Sequence, residues 1–333
     1  PAMIEARSKE GGVVPMSPKR LMNAYPIHSI IPWAHSKDEQ AEVNHRVFTL
    51  MVGSDQVWNA RLFDDDPDIA LSYALDFAAG WRNTVAYASS FGKTEFVPET
   101  DVEKEEAEAI RRIRHVSVRE KAGVEICKGL GIEAEHVLDP MMVCDMRHYR
   151  RLMDAADIPL PERYGLCFVR HIGEHIDPNA LSEGIDMPFL SVNSPGIDLN
   201  TAETSYPLTN ARTVENWVKS IYCSSYVLTD SFHATALSIV FGKPFIAVYG
   251  AMGEESGVDR FRSLLELFGL EDRLYPTTAD AMADGAHTRQ IDFNKVHKRL
   301  EELRERSLSW LEDALEIDVG GQGPRPATEG SPS

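Results

Sequence analysis

The stretch best equipped for chemistry runs Tyr226-Val227-Leu228-Thr229-Asp230-Ser231-Phe232-His233-Ala234-Thr235 and closes at Gly242-Lys243-Pro244. Its apolar start reads as a buried strand that stops at Asp230. A helix then begins within three residues and is stopped by Gly242. His233 therefore falls in the first turn of a helix, where unpaired N–H groups and the helix dipole favour a bound anion. An imidazole placed there can contact a phosphate oxygen or deliver a proton. The spacing is also compatible with a structural reading, in which Asp230 or Ser231 caps the helix and His233 is packed and inert.

A second polar cluster is Gly53-Ser54-Asp55-Gln56-Val57-Trp58-Asn59, just after a strand candidate. Gly53 permits an unusual backbone angle or a close ligand approach. Ser54, Asp55, Gln56 and Asn59 supply hydrogen-bonding groups, although a capped turn with Trp58 in the core would use the same residues. Ser90, in the turn Ala88-Ser89-Ser90-Phe91-Gly92-Lys93, belongs to a segment that could cradle an anion through backbone N–H groups or be a plain turn. Arg170 and His171 follow the strand candidate Gly165–Val169, and Arg260 and Arg262 precede a helix. An arginine fork suits a carboxylate or phosphate, but a single surface arginine is more often structural.

Two familiar patterns fail on context. Gly129-Leu130-Gly131-Ile132-Glu133-Ala134 matches a dinucleotide-binding spacing but follows a helical stretch and leads into a strand, as a helix C-terminal cap does. His171-Ile172-Gly173-Glu174-His175 matches an inverted zinc-peptidase pattern. Those ligands need one helical face, whereas Gly173, Pro178 and the preceding strand indicate a loop.

The elements that must position these residues alternate. Strands are expected at Val47–Val52, Thr84–Ser89, His115–Val118, His136–Leu138, Gly165–Val169, Phe189–Val192, Tyr226–Thr229 and Pro244–Tyr249. Helices are expected at Val102–Arg114, Val214–Cys223, Ser231–Phe241 and Arg262–Phe268, with a last amphipathic helix marked by Leu300, Leu303, Leu311 and Leu315. Such alternation implies an α/β fold with parallel sheets covered on both faces. The polar stretch Met153–Arg163, with Pro159 and Pro161, suggests a seam. The expected division is a loose leader over 1–20, an N-terminal Rossmann-like domain over 21–155, a C-terminal one over 156–318 that carries the Asp230–His233 segment, and a disordered Gly/Pro/Ser-rich tail over 319–333. No convincing strand precedes Val47, which leaves open an incomplete first domain or a chain that continues a longer parent.

Composition narrows the class of function. The chain has 333 residues, 43% hydrophobic and 26% charged, as in a globular protein with a real core. A formal net charge of −18 argues against nucleic acid as the main partner, because a phosphate backbone needs a basic face. An anionic substrate would need a local basic pocket. Cys127, Cys144, Cys167 and Cys223 form no CxxC pair and read as reduced, mostly buried thiols of a cytoplasmic protein. No apolar run approaches the roughly 18 residues that cross a bilayer.

Taken together, the blocks Val52–Asn59, Ala86–Gly92, Val118-Arg119-Glu120, Val137-Leu138-Asp139-Pro140, Thr229–Thr235 with Gly242-Lys243-Pro244-Phe245, and Arg260 before Leu264-Leu265 resemble the polysaccharide pyruvyltransferase family. They keep the family's order over roughly residues 45–275. The resemblance implies a GT-B-like fold of two Rossmann-like domains facing a cleft. It implies phosphoenolpyruvate as donor and a hexose in a glycan or lipid-linked precursor as acceptor; no cofactor beyond the donor is expected, and no metal, because the sequence shows no cluster of metal ligands. The product would be a pyruvate ketal bridging two hydroxyls. The histidine matching His233 would serve donor binding or catalysis. Many members carry an arginine two residues earlier, where this chain has Ser231, so Arg170 and Arg260 become the expected anion clamps. Asp55 is the expected acceptor contact or base, with Ser54, Gln56, Asn59, Ser90, Asp230 and Ser231 as further substrate contacts. Peripheral association with a membrane-bound glycan assembly complex would suit such an acceptor. The same architecture also hosts nucleotide-sugar glycosyltransferases and non-catalytic binding modules.

Overall fold

The computed structural model describes residues 37–63, 66–171, 173–193, 208–209, 213–250 and 257–315. The leader expected over 1–20 and the tail expected over 319–333 lie outside the described residues. Contacts divide the chain into two units. One holds the described part of Ile31–Asp139 together with that of Glu302–Ser333, and the other holds Pro140–Glu301.

In the first unit, helix α1 (Lys37–Arg46) leads into strand β1 (Thr49–Val52), and helix α2 (Pro67–Tyr73) follows. Strand β2 (Asn83–Ser89), helix α3 (Asp101–Ile110), strand β3 (His115–Val118), helix α4 (Lys121–Gly129) and strand β4 (Glu135–His136) complete the series. The strands pair in parallel in the order β1-β2-β3-β4. Strand β2 is buried at every position, which explains its run of small and β-branched residues. Its polar start is satisfied: Asn83 Nδ2 donates to the Ala314 carbonyl at 2.8 Å, and Thr84 Oγ1 accepts from the Arg114 amide at 2.9 Å. Helix α3 begins at a reciprocal Thr100/Glu103 capping box. It ends at Ile110, four residues before the Arg114 expected from periodicity, because the chain there turns into β3. Strand β4 is shorter than His136–Leu138 for a similar reason: the Leu138 amide donates to Ser307 Oγ and not to a neighbouring strand. Gly131, at φ +76°, follows the end of α4, so the glycine pair closes a helix as expected.

The second unit begins with the short helix α5 (Pro140–Val143) and helix α6 (Met146–Asp154). Then come strand β5 (Gly165–Val169), helix α7 (Pro178–Ile185), and strands β6 (Phe189–Asn193) and β7 (Leu208–Thr209). Helix α8 (Val214–Cys223), strand β8 (Tyr226–Thr229), helix α9 (Phe232–Phe241), strand β9 (Phe245–Val248) and helix α10 (Val258–Glu266) follow. Strand β10 (Leu274–Tyr275), helix α11 (Thr278–Ala283) and the 22-residue helix α12 (Phe293–Ala314) end the described chain. The described strands form a parallel sheet in the order β10-β9-β8-β5-β6-β7. Strands β5, β8 and β9 are buried at every position and sit side by side at its centre. Their residues Cys167, Val169, Leu228, Ile246 and Val248 pack with Leu181 and Ala281 in one core cluster. Helix α10 starts four residues before the expected Arg262, because Gly257 at φ +100° turns the chain and Val258, Phe261, Leu264 and Leu265 form its buried face. Arg260 consequently stands in the first turn of a helix and not in a loop. Among the described residues no helix is long and apolar enough to cross a membrane.

Candidate functional site

In parallel sheets, ligands bind beyond the carboxyl ends of the strands. In the second unit three adjacent strands end together, with Phe168 of β5 beside Thr229 of β8, and Thr229 beside Ala247 of β9. The β5 loop carries Arg170 and His171, and β8 leads through Asp230 and Ser231 into the helix that carries His233.

Asp230 organises this edge. Its carboxylate is fully buried and accepts from the Arg170 amide at 2.6 Å, the His171 amide at 2.8 Å and His171 Nδ1 at 3.1 Å. Ser231 is the N-cap of α9, and its buried hydroxyl accepts from the Ala234 amide. These two side chains, expected to touch substrate, are directed into the protein. They hold the β5 loop and the helix start. The capping reading is therefore correct for Ser231, while His233 in the first turn is only partly buried and meets the Phe232 ring edge-on at 5.6 Å. Phe232 packs edge-on against Phe261 at 6.0 Å, and the Arg260 guanidinium lies 5.7 Å from the Phe261 ring. Arg170 is exposed, and among the described residues its side chain has no ion pair. The structure thus brings Arg170, His233 and Arg260 to one edge.

His171 stands beside Arg170 among the strand-end residues read from the sequence, but it is not among the substrate contacts expected there. Its ring is half exposed and fixed at Nδ1 by Asp230. His175, one loop turn on, has its pKa held below the ordinary histidine value, first by burial, with the positive side of His171 adding and Asp230 opposing. Its carbonyl accepts from the Thr278 amide at 2.9 Å. His171, Glu174 and His175 lie in the loop between β5 and α7, so the zinc-peptidase pattern has no helix to carry it.

The first unit has its own polar constellation at its strand ends. Gly53 adopts φ +132°, and a Cβ there would sit 1.9 Å from the Tyr87 carbonyl oxygen, so no other residue fits. The Gly53–Ser54 peptide is cis. Ser54 Oγ donates to Asp139 Oδ2 at 2.8 Å. Arg119 donates from Nη2 to Asp55 at 2.7 Å and from Nη1 to Asp139 at 2.9 Å, with Glu120 at 3.7 Å from Nε. Burial works against the Arg119 charge, but Asp139, Asp55 and Glu120 outweigh it and hold its pKa above the usual value. Asp55 remains largely exposed while anchored by this arginine.

The other expected contacts turn inward. Asn59 is buried and donates from Nδ2 to Gln56 Oε1 at 3.0 Å. Ser90 is fully buried, its hydroxyl accepting from the Gly92 amide, so the turn around it is held by its own hydrogen bonds. Trp58 is core, as the structural reading of that loop has it. Arg119 and Asp139 are not among the contacts expected from the sequence, although Arg119 directly follows β3 and Asp139 lies three residues past β4, where the strand-end rule points.

Two parallel, helix-covered sheets of Rossmann-like type place the protein in the GT-B-like class of α/β folds. A putative UDP-N-acetylglucosamine 2-epimerase from Listeria monocytogenes shares this fold, with TM-score 0.51, 11% identity, and coverage of 88% of this chain and 82% of that one. The UDP-GlcNAc 2-epimerase from Neisseria meningitidis is similar at TM-score 0.42, 9% identity and 84% coverage of each chain. The wall teichoic acid polymerase TagF is similar at TM-score 0.40, 12% identity, and coverage of 72% and 68%. No curated protein matches the sequence. The sequence profile of the polysaccharide pyruvyl transferase family matches residues 19–250, and the chain belongs to that family.

Proposed function

We propose that this protein transfers the pyruvyl group of phosphoenolpyruvate to two hydroxyls of a sugar, forming a ketal during synthesis of a polysaccharide or cell-surface glycan. Family membership supports pyruvyl transfer in general. The observation that carries the rest is that Arg170 and His233 follow neighbouring strand ends, with Arg260 on the helix whose Phe261 packs against Phe232, in a chain whose net charge is −18.

The donor dictates what such an edge must do. Its carboxylate and phosphate need cations, and its enol carbon C3 must gain a proton before C2 becomes electrophilic. In this reading Arg170 and Arg260 hold the two anionic groups, and the amides at the start of α9 add donors to the phosphate. His233 contacts the phosphate or, when protonated, supplies the C3 proton. Ser231 stands where the family resemblance implies an arginine in many members. Its hydroxyl caps α9, so Arg170 of the β5 loop and Arg260 of the first turn of α10 take over the charge that position would otherwise bring. Asp55, exposed and anchored by Arg119, is the carboxylate we propose for contact with sugar hydroxyls. We place the reaction in the cytoplasm, where the free thiols would stay reduced. A lipid-linked acceptor would bring the protein to a membrane-bound assembly complex as a peripheral partner.

The test is ligand-dependent stabilisation followed by product analysis. A hundredfold excess of ligand over Kd stabilises by about 2.7 kcal/mol, which a melting curve registers. Phosphoenolpyruvate should raise the melting temperature, and incubation with methyl glycosides of galactose, glucose and mannose should release phosphate and add pyruvate less water to the sugar. Stabilisation by UDP- or CDP-sugars with none by phosphoenolpyruvate would assign the site to glycosyl transfer.

A further inference from the structure

We infer that His171, oriented by the buried carboxylate of Asp230, is the base that takes the proton from the attacking sugar hydroxyl. The inference rests on the pyruvyl-transfer reading and adds a group to it. An ionised carboxylate only accepts hydrogen bonds, and here it faces three N–H donors: the amides of Arg170 and His171 and the ring Nδ1 of His171. That contact assigns the ring proton to Nδ1 and leaves the Nε2 lone pair as the free acceptor. The Asp230 side chain is 0% exposed and the His171 side chain 51% exposed, so the fixed nitrogen is the inner one and the open part of the ring faces solvent. A buried carboxylate that sets tautomer and orientation, and stabilises the imidazolium once formed, is the arrangement acid–base histidines require.

Loop anchoring alone does not call for the ring. The two main-chain amides already tie the β5 loop to Asp230 at 2.6 and 2.8 Å. Asp230 also immediately precedes the cap of the helix bearing His233, so one carboxylate links the two histidine-bearing segments. Among the described residues, the titratable groups facing His171 are Asp230 and His175, and Arg170 precedes it in the chain. Burial favours the neutral form of His175, so a proton arriving on His171 meets the Asp230 charge without a second imidazolium beside it.

The steps balance. His233 gives a proton to C3 while the first hydroxyl oxygen bonds to C2 and its proton passes to Nε2 of His171. The bond from C2 to the phosphate oxygen then breaks, its electron pair leaves with phosphate, and the imidazolium of His171 returns the proton to that oxygen. The second hydroxyl closes the ketal at C2, again losing its proton to His171, from which solvent carries it back to His233. One proton ends on C3 and one on phosphate.

The experiment compares wild type with His171→Ala and with His171→Asn, whose amide can still donate to Asp230 but cannot take a proton. Melting curves with and without phosphoenolpyruvate and phosphate release with methyl galactoside, glucoside and mannoside are the readouts. Both variants are expected to melt like wild type and keep the stabilisation by phosphoenolpyruvate. Their turnover should fall at least about 100-fold, and added imidazole should restore part of the rate of the alanine variant. Wild-type turnover in the asparagine variant overturns the inference, because anchoring would then suffice. So does a loss of phosphoenolpyruvate stabilisation in the alanine variant with no rescue by imidazole. A wild-type protein that is not stabilised by phosphoenolpyruvate and releases no phosphate brings down pyruvyl transfer itself, and the base role falls with it.

Discussion

Arg119 donates to Asp139 at 2.9 Å with both side chains almost wholly withdrawn from water, at 1% and 2% exposure. The pair joins the carboxyl end of β3 to the segment that follows β4. Asp139 also receives the Ser54 hydroxyl, and Arg119 also holds Asp55. Through these contacts the loop after β1 is built on an internal charge, and Asp55 is presented on it.

Removing one member of a buried pair strands the other. Asp139→Asn should cost about 3–5 kcal/mol in urea unfolding, and the double change with Arg119→Met should cost less than the sum of the two. Asp55→Asn, at the exposed end of the network, should cost less than about 1 kcal/mol. Equal costs for Asp139 and Asp55 would contradict this view of the network.

His233→Ala should lower turnover at least about 100-fold while stability stays within about 1 kcal/mol, since the ring is only partly buried. Arg170→Ala should chiefly raise KM for phosphoenolpyruvate, by about tenfold, because its role is to hold an anion. Steady-state kinetics beside melting curves separate the two effects. A His233 variant that unfolds would return that residue to the core.

Glu103 supplies the pH dependence. Burial alone would raise its pKa, but the amides of Glu99 and Thr100 and the ammonium of Lys93 outweigh it and hold the pKa below the ordinary glutamate value. A carboxyl whose folded pKa is depressed contributes stability above its unfolded pKa of about 4.3, and loses it as pH falls through the folded value. Glu103→Gln should therefore be about 1–2 kcal/mol less stable than wild type near pH 7, and the gap should close below about pH 4. Urea midpoints across that range are the check, and a gap that persists in acid would contradict the sign.

The thiols divide in two. Burial pushes Cys127 and Cys167 up to about 12, while Cys144 is half-buried and Cys223 exposed. The expectation of mostly buried thiols thus holds for Cys127 and Cys167 alone. Iodoacetamide near pH 8 should label Cys223 and Cys144 in the native protein and reach the other two only after denaturation. Mass spectrometry of the peptides would show it.

What could be read in advance was local. Strands β3, β5 and β8 and helix α8 stand at the residues their apolar patterns indicate, because a fully buried parallel strand must be continuously apolar and a half-buried helix must repeat its apolar face. Helices α1, α2, α6 and α7 went unread. The first is mostly polar, and the next three open at caps and prolines that resemble turns. The start of α10 was misplaced because Gly257 reads as a breaker where it is a cap.

The sequence by itself determined the alternation of elements, the strand ends at which chemistry could gather, and, through its ordered blocks, the family. Only the tertiary structure decided which polar side chains at those ends face outward. Asp230, Ser231, Asn59 and Ser90 look as exposed in sequence as His171 or Asp55, and each is consumed by hydrogen bonds inside its own unit. Burial and partner choice depend on which strands become neighbours, and strand order in a parallel sheet is set by long-range packing that no local window contains.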